Sequence, residues 1–118
     1  MRHSVKGTKF GRKRGDRRQF LTTLAAHCIM QGHIETTGAR ARVLRSLVEK
    51  LITLGKKQTT SSLRLLASRL PKRAASKVYY ELAPRYADRR GGYVRVVKHA
   101  EVRKRDGADV VALELIVH

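Results

Sequence analysis

Residues 43–55, VLRSLVEKLITLG, carry seven aliphatic side chains at helical spacing. Val43, Leu44, Leu47, Val48, Leu51, Ile52 and Leu54 fall within about half of a helical wheel, while Arg42, Arg45 and Glu49 lie opposite. Arg45 and Glu49 stand four apart, the spacing of a helical ion pair. Gly55 marks the expected end, and Lys56 and Lys57 follow at the negative end of the helix dipole. A helix with so wide an apolar face must bury it against other elements, so the chain has a packed core.

Reading outward from this helix predicts its neighbours. Thr36 or Thr37 can cap its start, and His33 to Glu35 reads as a short strand. Before them, Phe20, Leu21, Leu24, Ala25, Cys28 and Ile29 form another helical stripe. Asp16 and Gln19 suggest a capping box at its start, and Gly32 a stop at its end. Downstream, Thr59 to Ser62 offer caps for a third helix with Leu63, Leu66, Ala67 and Leu70 inward. Pro71 pushes Leu70 out of the helical region and can start a fourth helix, using Ala74, Ala75, Val78, Tyr79 and Leu82, which Pro84 is expected to close. YVRVVK at 93–98 and VVALELIV at 110–117 read as two strands that pair antiparallel, the second with Val111, Leu113, Leu115 and Val117 on one face. Between them Arg103 to Asp109 reads as a turn centred on Asp106-Gly107. The expected fold is α+β, with four helices packed on a small, about three-stranded mixed sheet. An extended basic N-terminal arm over 1–15 precedes a globular domain over 16–118.

The arm has its own character. MRHSVKGTKFGRKRGDRR at 1–18 holds eight basic residues, Arg2, Lys6, Lys9, Arg12, Lys13, Arg14, Arg17 and Arg18, against Asp16 alone. Gly7, Gly11 and Gly15 each weaken helix by roughly 1 kcal/mol relative to Ala. Such a segment buries no core of its own and takes its shape from a polyanion. The whole 118-residue chain carries a formal net charge of +18, so the remaining body is strongly basic as well. Self-repulsion of that size is relieved by an anionic partner, nucleic acid before a membrane surface.

Composition excludes other classes. No apolar run approaches the ~20 residues of a spanning helix, and no signal-like apolar stretch follows the N-terminus. The chain reads as soluble and cytosolic, with no membrane partner. Cys28 is the lone cysteine, so no intrachain disulfide forms, and its place on an apolar stripe reads as a core thiol. The five histidines show no ligand spacing, and CxxC, HExxH and phosphate-loop motifs are absent. With only nine acids, paired carboxylates are not expected either. The expectation is a protein that is not an enzyme and holds no metal or cofactor.

What remains is phosphate chemistry. Besides the arm, residues 85–95 interleave Arg85, Arg89, Arg90 and Arg95 with Tyr86 and Tyr93, the pairing of cation and ring that handles phosphates and unstacked bases. The alternative for this loop is that both tyrosines pack on the core. Lys56-Lys57 and Arg103-Lys104-Arg105 are smaller basic patches. The helices on either side of Pro71 also permit a small basic DNA-binding architectural protein, although Lys72, Arg73, Ser76 and Lys77 suit phosphates better than base edges. A cationic membrane-active protein would need a long basic amphipathic helix with aromatic anchors, and the arm offers only Phe10.

Several motifs resemble one family over essentially the whole chain. They are the start MRH, IETT at 34–37, LITLGKK at 51–57, ELAPRYADRRGGYVRV at 81–96 and ALELIV at 112–117. Their order and type are similar to the bacterial large-subunit ribosomal protein family numbered seventeen. Gly11 and Asp16 depart from the family pattern, which usually has Asn and His near those positions, and Thr22-Thr23 stand where it often has Arg-Asn. The resemblance implies a structural constituent of the large ribosomal subunit that binds and stabilises large-subunit ribosomal RNA near the polypeptide exit side, beside neighbouring large-subunit ribosomal proteins. It implies RNA contact from Arg2, His3, Lys9, Arg12 and Arg17 in the arm, and matches Arg85, Tyr86, Asp88, Arg89, Gly91, Gly92 and Tyr93 to the central motif.

Overall fold

The computed structural model describes residues 14–102 and 109–116. The decisive helix, α2, spans Gly38–Gly55. Thr37 caps it, its hydroxyl accepting from the Arg40 amide. Ala41, Leu44, Val48, Leu51 and Ile52 are buried along one face, as the spacing requires. Before it come α1 (Arg14–Gln31) and strand β1 (His33–Thr37). Gly32 between them takes φ +85°, a left-handed turn that a side chain would resist, and its amide closes on the Cys28 carbonyl at 2.8 Å.

Helix α3 (Thr60–Arg69) starts at a reciprocal capping box, with the Thr59 hydroxyl accepting from the Ser62 amide and the Ser62 hydroxyl from the Thr59 amide. Leu70 is extended at φ −131°, as Pro71 demands of the residue before it. The fourth helix, α4, begins as Lys72–Lys77, widens to a π-helical turn at Val78–Leu82 and returns to α geometry for Ala83–Arg85. Pro84 was expected to close this helix, and instead it sits inside the last turn. A proline lacks an amide and collides with the carbonyl four residues back. The wider turn, in which the Ala83 amide reaches the Val78 carbonyl, makes room for it.

Strands β2 (Val94–Val102) and β3 (Asp109–Leu115) complete a three-stranded sheet of order β1-β3-β2. Every pairing is antiparallel, so the sheet is not mixed. The last strand lies between the other two, Leu113 pairing with Ile34 on one side and Val96 on the other. Its composition explains the choice. Val111, Ala112, Leu113 and Leu115 are all buried, whereas the outer strands mix apolar residues with polar and charged ones and can hold an edge. The helices cover one face of the sheet. Leu44, Val48, Leu51 and Ile52 of α2 form one core with Ala25, Cys28 and Ile29 of α1, Leu66 and Leu70, Val78 and Leu82, and Leu113 and Leu115 of the sheet.

Other expectations shift by a turn or a face. Helix α1 includes Arg14 and Gly15, so Asp16 lies within its first turn and does not cap it. Ala67 is exposed, and Ser62 takes a buried place on α3, paid for by its hydrogen bond to the Thr59 carbonyl at 2.8 Å. Gly55 ends α2, but the left-handed residue there is Gln58 at φ 53°. Gly55 serves close packing, since a Cβ on it would sit 3.1 Å from Val78 Cγ1 and 3.4 Å from Ala83 Cβ. The turn at 103–108 lies outside the described residues, as do residues 1–13 of the arm and Val117.

Cys28 is fully buried in the core, and burial pushes its thiol from 9.0 up to about 11. The sulfur therefore stays protonated and inert at neutral pH. Alkylation at pH 8 should be slow in the folded protein and fast after denaturation, as counted by mass spectrometry. The sign for stability follows from linkage. The unfolded thiol ionises near 9 and the folded one near 11, so the contribution of Cys28 is intact below pH 9 and declines as pH rises through that window. At the start of α3, Thr59→Ala removes the capping box and should cost about 1 kcal/mol in urea unfolding.

Candidate nucleic-acid interface

The segment 86–93 follows α4 and turns the chain back into β2. Backbone bonds start the turn, with the Arg89 amide donating to the Tyr86 carbonyl at 2.9 Å. Gly92 then adopts φ +69°, which a side chain would strain. The two tyrosines at its ends are core residues, Tyr86 at 0% and Tyr93 at 1% exposure. Their rings pack together at 5.2 Å between centroids. The Tyr86 hydroxyl donates to the Ile116 carbonyl, and the Tyr93 carbonyl accepts from the Ile116 amide at 2.9 Å.

Energetics decides between core and base stacking for these rings. A buried aromatic ring removes ~150–250 Å² from water. At ~25 cal/mol per Å² that is about 4–6 kcal/mol. Stacking on a base returns only ~1–3 kcal/mol. In this structure neither ring is available to a base, and the two act as pins that hold the loop against the sheet.

A second pin comes from α2. Lys56 follows its last residue, half-buried, and its ammonium donates to the Arg89 carbonyl and to the Tyr93 hydroxyl at 2.9 Å. About two helical turns earlier, Glu49 Oε2 accepts from the Tyr93 amide at 2.9 Å. The expected Arg45–Glu49 pair is present at 3.8 Å, but the shorter bond of Glu49 goes to the loop. Hydrogen bonds to charged groups contribute ~1.5–3 kcal/mol each, so α2 clamps the loop from both chemical directions, donor and acceptor. The sequence signal for this clamp was only that Lys56 and Glu49 fall near the same end of one helix.

The arginines divide accordingly. Arg90 is exposed and in no ion pair among the described residues. Arg89 is half-buried, with its guanidinium donating to the Gly92 carbonyl at 3.0 Å. Arg85 pairs with Glu81 at 3.2 Å, and Arg95 with Glu114 across the sheet at 3.1 Å. Both pairs are on the surface, where such contacts contribute ~0–1 kcal/mol and yield readily to a phosphate. Lys57 is exposed beside Lys56. Arg17 and Arg18 project from the first turns of α1, half-buried and exposed respectively. The structure thus brings together Arg85 at the end of α4 and Arg89 and Arg90 on the clamped loop that follows it. The further arm candidates Arg2, His3, Lys6, Lys9, Arg12 and Lys13 lie outside the described residues, and of Arg14 only the backbone is described. No cluster of three or more metal-ligating side chains occurs among the described residues.

Lys56→Ala should free the loop while leaving the helices intact. Amide hydrogen exchange should rise over Arg89–Val94 and stay unchanged in α2, and Lys57→Ala should leave both unaffected.

Comparison with known proteins places this architecture. The model of the ribosomal protein L17 family matches residues 20–116. The large ribosomal subunit protein bL17 of Sulfurihydrogenibium is 43% identical over 98% of this chain and 97% of its own length. The bL17 protein of Persephonella marina is 42% identical over 100% of this chain and 97% of its own. That of Gemmatimonas aurantiaca is 43% identical over 99% of both.

Proposed function

The chain belongs to the ribosomal protein L17 family, and on that premise we propose that it binds and stabilises large-subunit ribosomal RNA. It is a non-enzymatic structural protein of the large ribosomal subunit. The observation that carries RNA binding is the arginine-bearing segment 85–90, with Arg85 and Arg90 exposed, tied down by Lys56, Glu49 and two buried tyrosines on a body of net positive charge. Lysine and arginine neutralise phosphates and release condensed counterions, which supplies affinity without reading bases. A preset loop also loses less conformational freedom on binding than a loose one.

The N-terminal arm supplies the reach in this proposal. Arg2, His3, Lys6, Lys9, Arg12, Lys13, Arg14, Arg17 and Arg18 enter between RNA helices and screen their phosphates, with the glycines of the arm permitting close backbone approach. The loop, with Lys57 and Arg95 nearby in sequence to its clamp and strand, docks the body. Lys56, Tyr86 and Tyr93 act by positioning. The family motifs favour a place near the polypeptide exit side, next to other large-subunit proteins.

Deleting residues 2–13 should leave the circular dichroism of the body unchanged, weaken binding to large-subunit RNA and flatten its salt dependence. Arg85→Ala with Arg90→Ala should lower the slope of log affinity against log salt by about two. An unchanged slope in both variants, or preference for duplex DNA at equal salt, overturns this reading.

A further inference from the structure

A groove of about 900 Å³ opens on the side of the molecule where α1 faces α2 and the α3–α4 corner. Its floor is apolar, made by Leu21, Leu47, Leu51 and Leu70. Leu51 and Leu70 are buried beneath it, and Leu21 and Leu47 are half-exposed to it. Arg18 on α1 and Arg69 at the end of α3 line the groove, and both are exposed. Neither is in an ion pair among the described residues. Among the described residues, no acidic side chain lines this groove. Gln19, Thr22 and Ser68 add neutral hydrogen-bonding groups to its walls.

This combination narrows the occupant. An apolar floor alone would suit a protein segment. Two arginines in no ion pair among the described residues repel a basic partner and attract an anionic one. A groove of this volume falls within the ~300–1,000 Å³ range of pockets that hold compact ligands. An unstacked nucleotide meets all three features. Its base has flat apolar faces and hydrogen-bonding edges, and the flanking phosphates are anionic. Arginine suits the phosphates because its planar fork matches their oxygens.

We propose that this groove is a second RNA site, holding an unstacked nucleotide with its base over the leucine floor and its phosphates on Arg18 and Arg69. The site rests on the RNA-binding reading above and is separate from the loop at 85–90. It brings in Arg69, which no sequence pattern singled out, and gives Arg18 a folded setting on α1.

The test uses the full chain and fragments of large-subunit ribosomal RNA titrated across salt. Arg18→Ala with Arg69→Ala should lower the salt slope by about two and weaken binding about 10- to 30-fold near 0.15 M salt. Leu47→Gln should weaken binding without changing the slope, because it removes apolar contact and no charge. Arg42→Ala with Lys50→Ala, on the exposed side of α2, should do less than the groove pair. A benzophenone placed through Ser68→Cys should crosslink to RNA, and buried Cys28 should not compete for the label. Equal effects of the groove and control pairs would overturn the site, since charge anywhere would then suffice. A crosslink from Ser68→Cys to a protein within assembled subunits would overturn it in favour of a protein occupant. If the groove variants bind normally while Arg85→Ala with Arg90→Ala fails, the groove falls and the RNA reading stands. If the unaltered chain binds no ribosomal RNA, both fall.

Discussion

Burial of one face of α2 is the constraint on which the remaining structure depends. Leu44, Val48, Leu51 and Ile52 are at or below 2% exposure, and the core they anchor takes residues from every helix and from the sheet. Removing apolar surface from water is the dominant favourable term available to a chain with no disulfide and few aromatic residues. Because α2 is central, its ends become reference points. Its N-terminus is fixed by Thr37 at the end of β1, and its C-terminus places Gly55 against α4 and Lys56 beneath the basic loop. The loop is thereby positioned by the core, though its arginines lie outside it.

The same arrangement separates two uses of charge. A body this basic resists compaction, and each cation must either find a partner or face water. Lys56 is spent on folding, since its ammonium serves a backbone carbonyl and a tyrosine hydroxyl. Arg85 and Arg95 are held by surface acids, and Lys77 reaches the Met30 carbonyl at 3.0 Å to tie α4 to α1. Arg90, Arg18 and Arg69 keep their full charge exposed among the described residues. In the proposed function, these last groups are the ones a polyanion would meet without breaking the fold.

Much of the helical framework was legible because its signals are local. Gly32, Thr37, Thr59 and the Leu70-Pro71 pair mark boundaries through the geometry of one or two residues, and each does so here. Signals failed where a neighbour in space outweighed local preference. Pro84 reads as a stop, yet the π-helical turn before it absorbs the missing amide. Gly55 ends α2 as its position suggests, but what fixes it is contact, since its lack of a Cβ admits Val78 while Gln58 makes the left-handed turn. Gln58 can do so because its side-chain amide donates to the Gly55 and Tyr79 carbonyls, which holds the strained residue in place. The site followed the same rule. The arginines of 85–90 could be found from composition, but the roles of Tyr86, Tyr93 and Lys56 could not, because a ring or an ammonium next to arginines looks the same whether it faces RNA or the core.

By itself, the sequence determined that this chain forms amphipathic helices with a strand-rich end and that it is strongly basic, since periodicity, residue type and net charge are properties of the chain before it folds. Its motifs also determined the family. Only the tertiary structure decided that β3 lies between β1 and β2 in an antiparallel sheet, that the tyrosines turn inward, and that α2 clamps the loop through Glu49 and Lys56. It also brought Arg18 and Arg69 to one groove. These outcomes depend on contacts between residues tens of positions apart, whose energies exist only once the core has drawn them together.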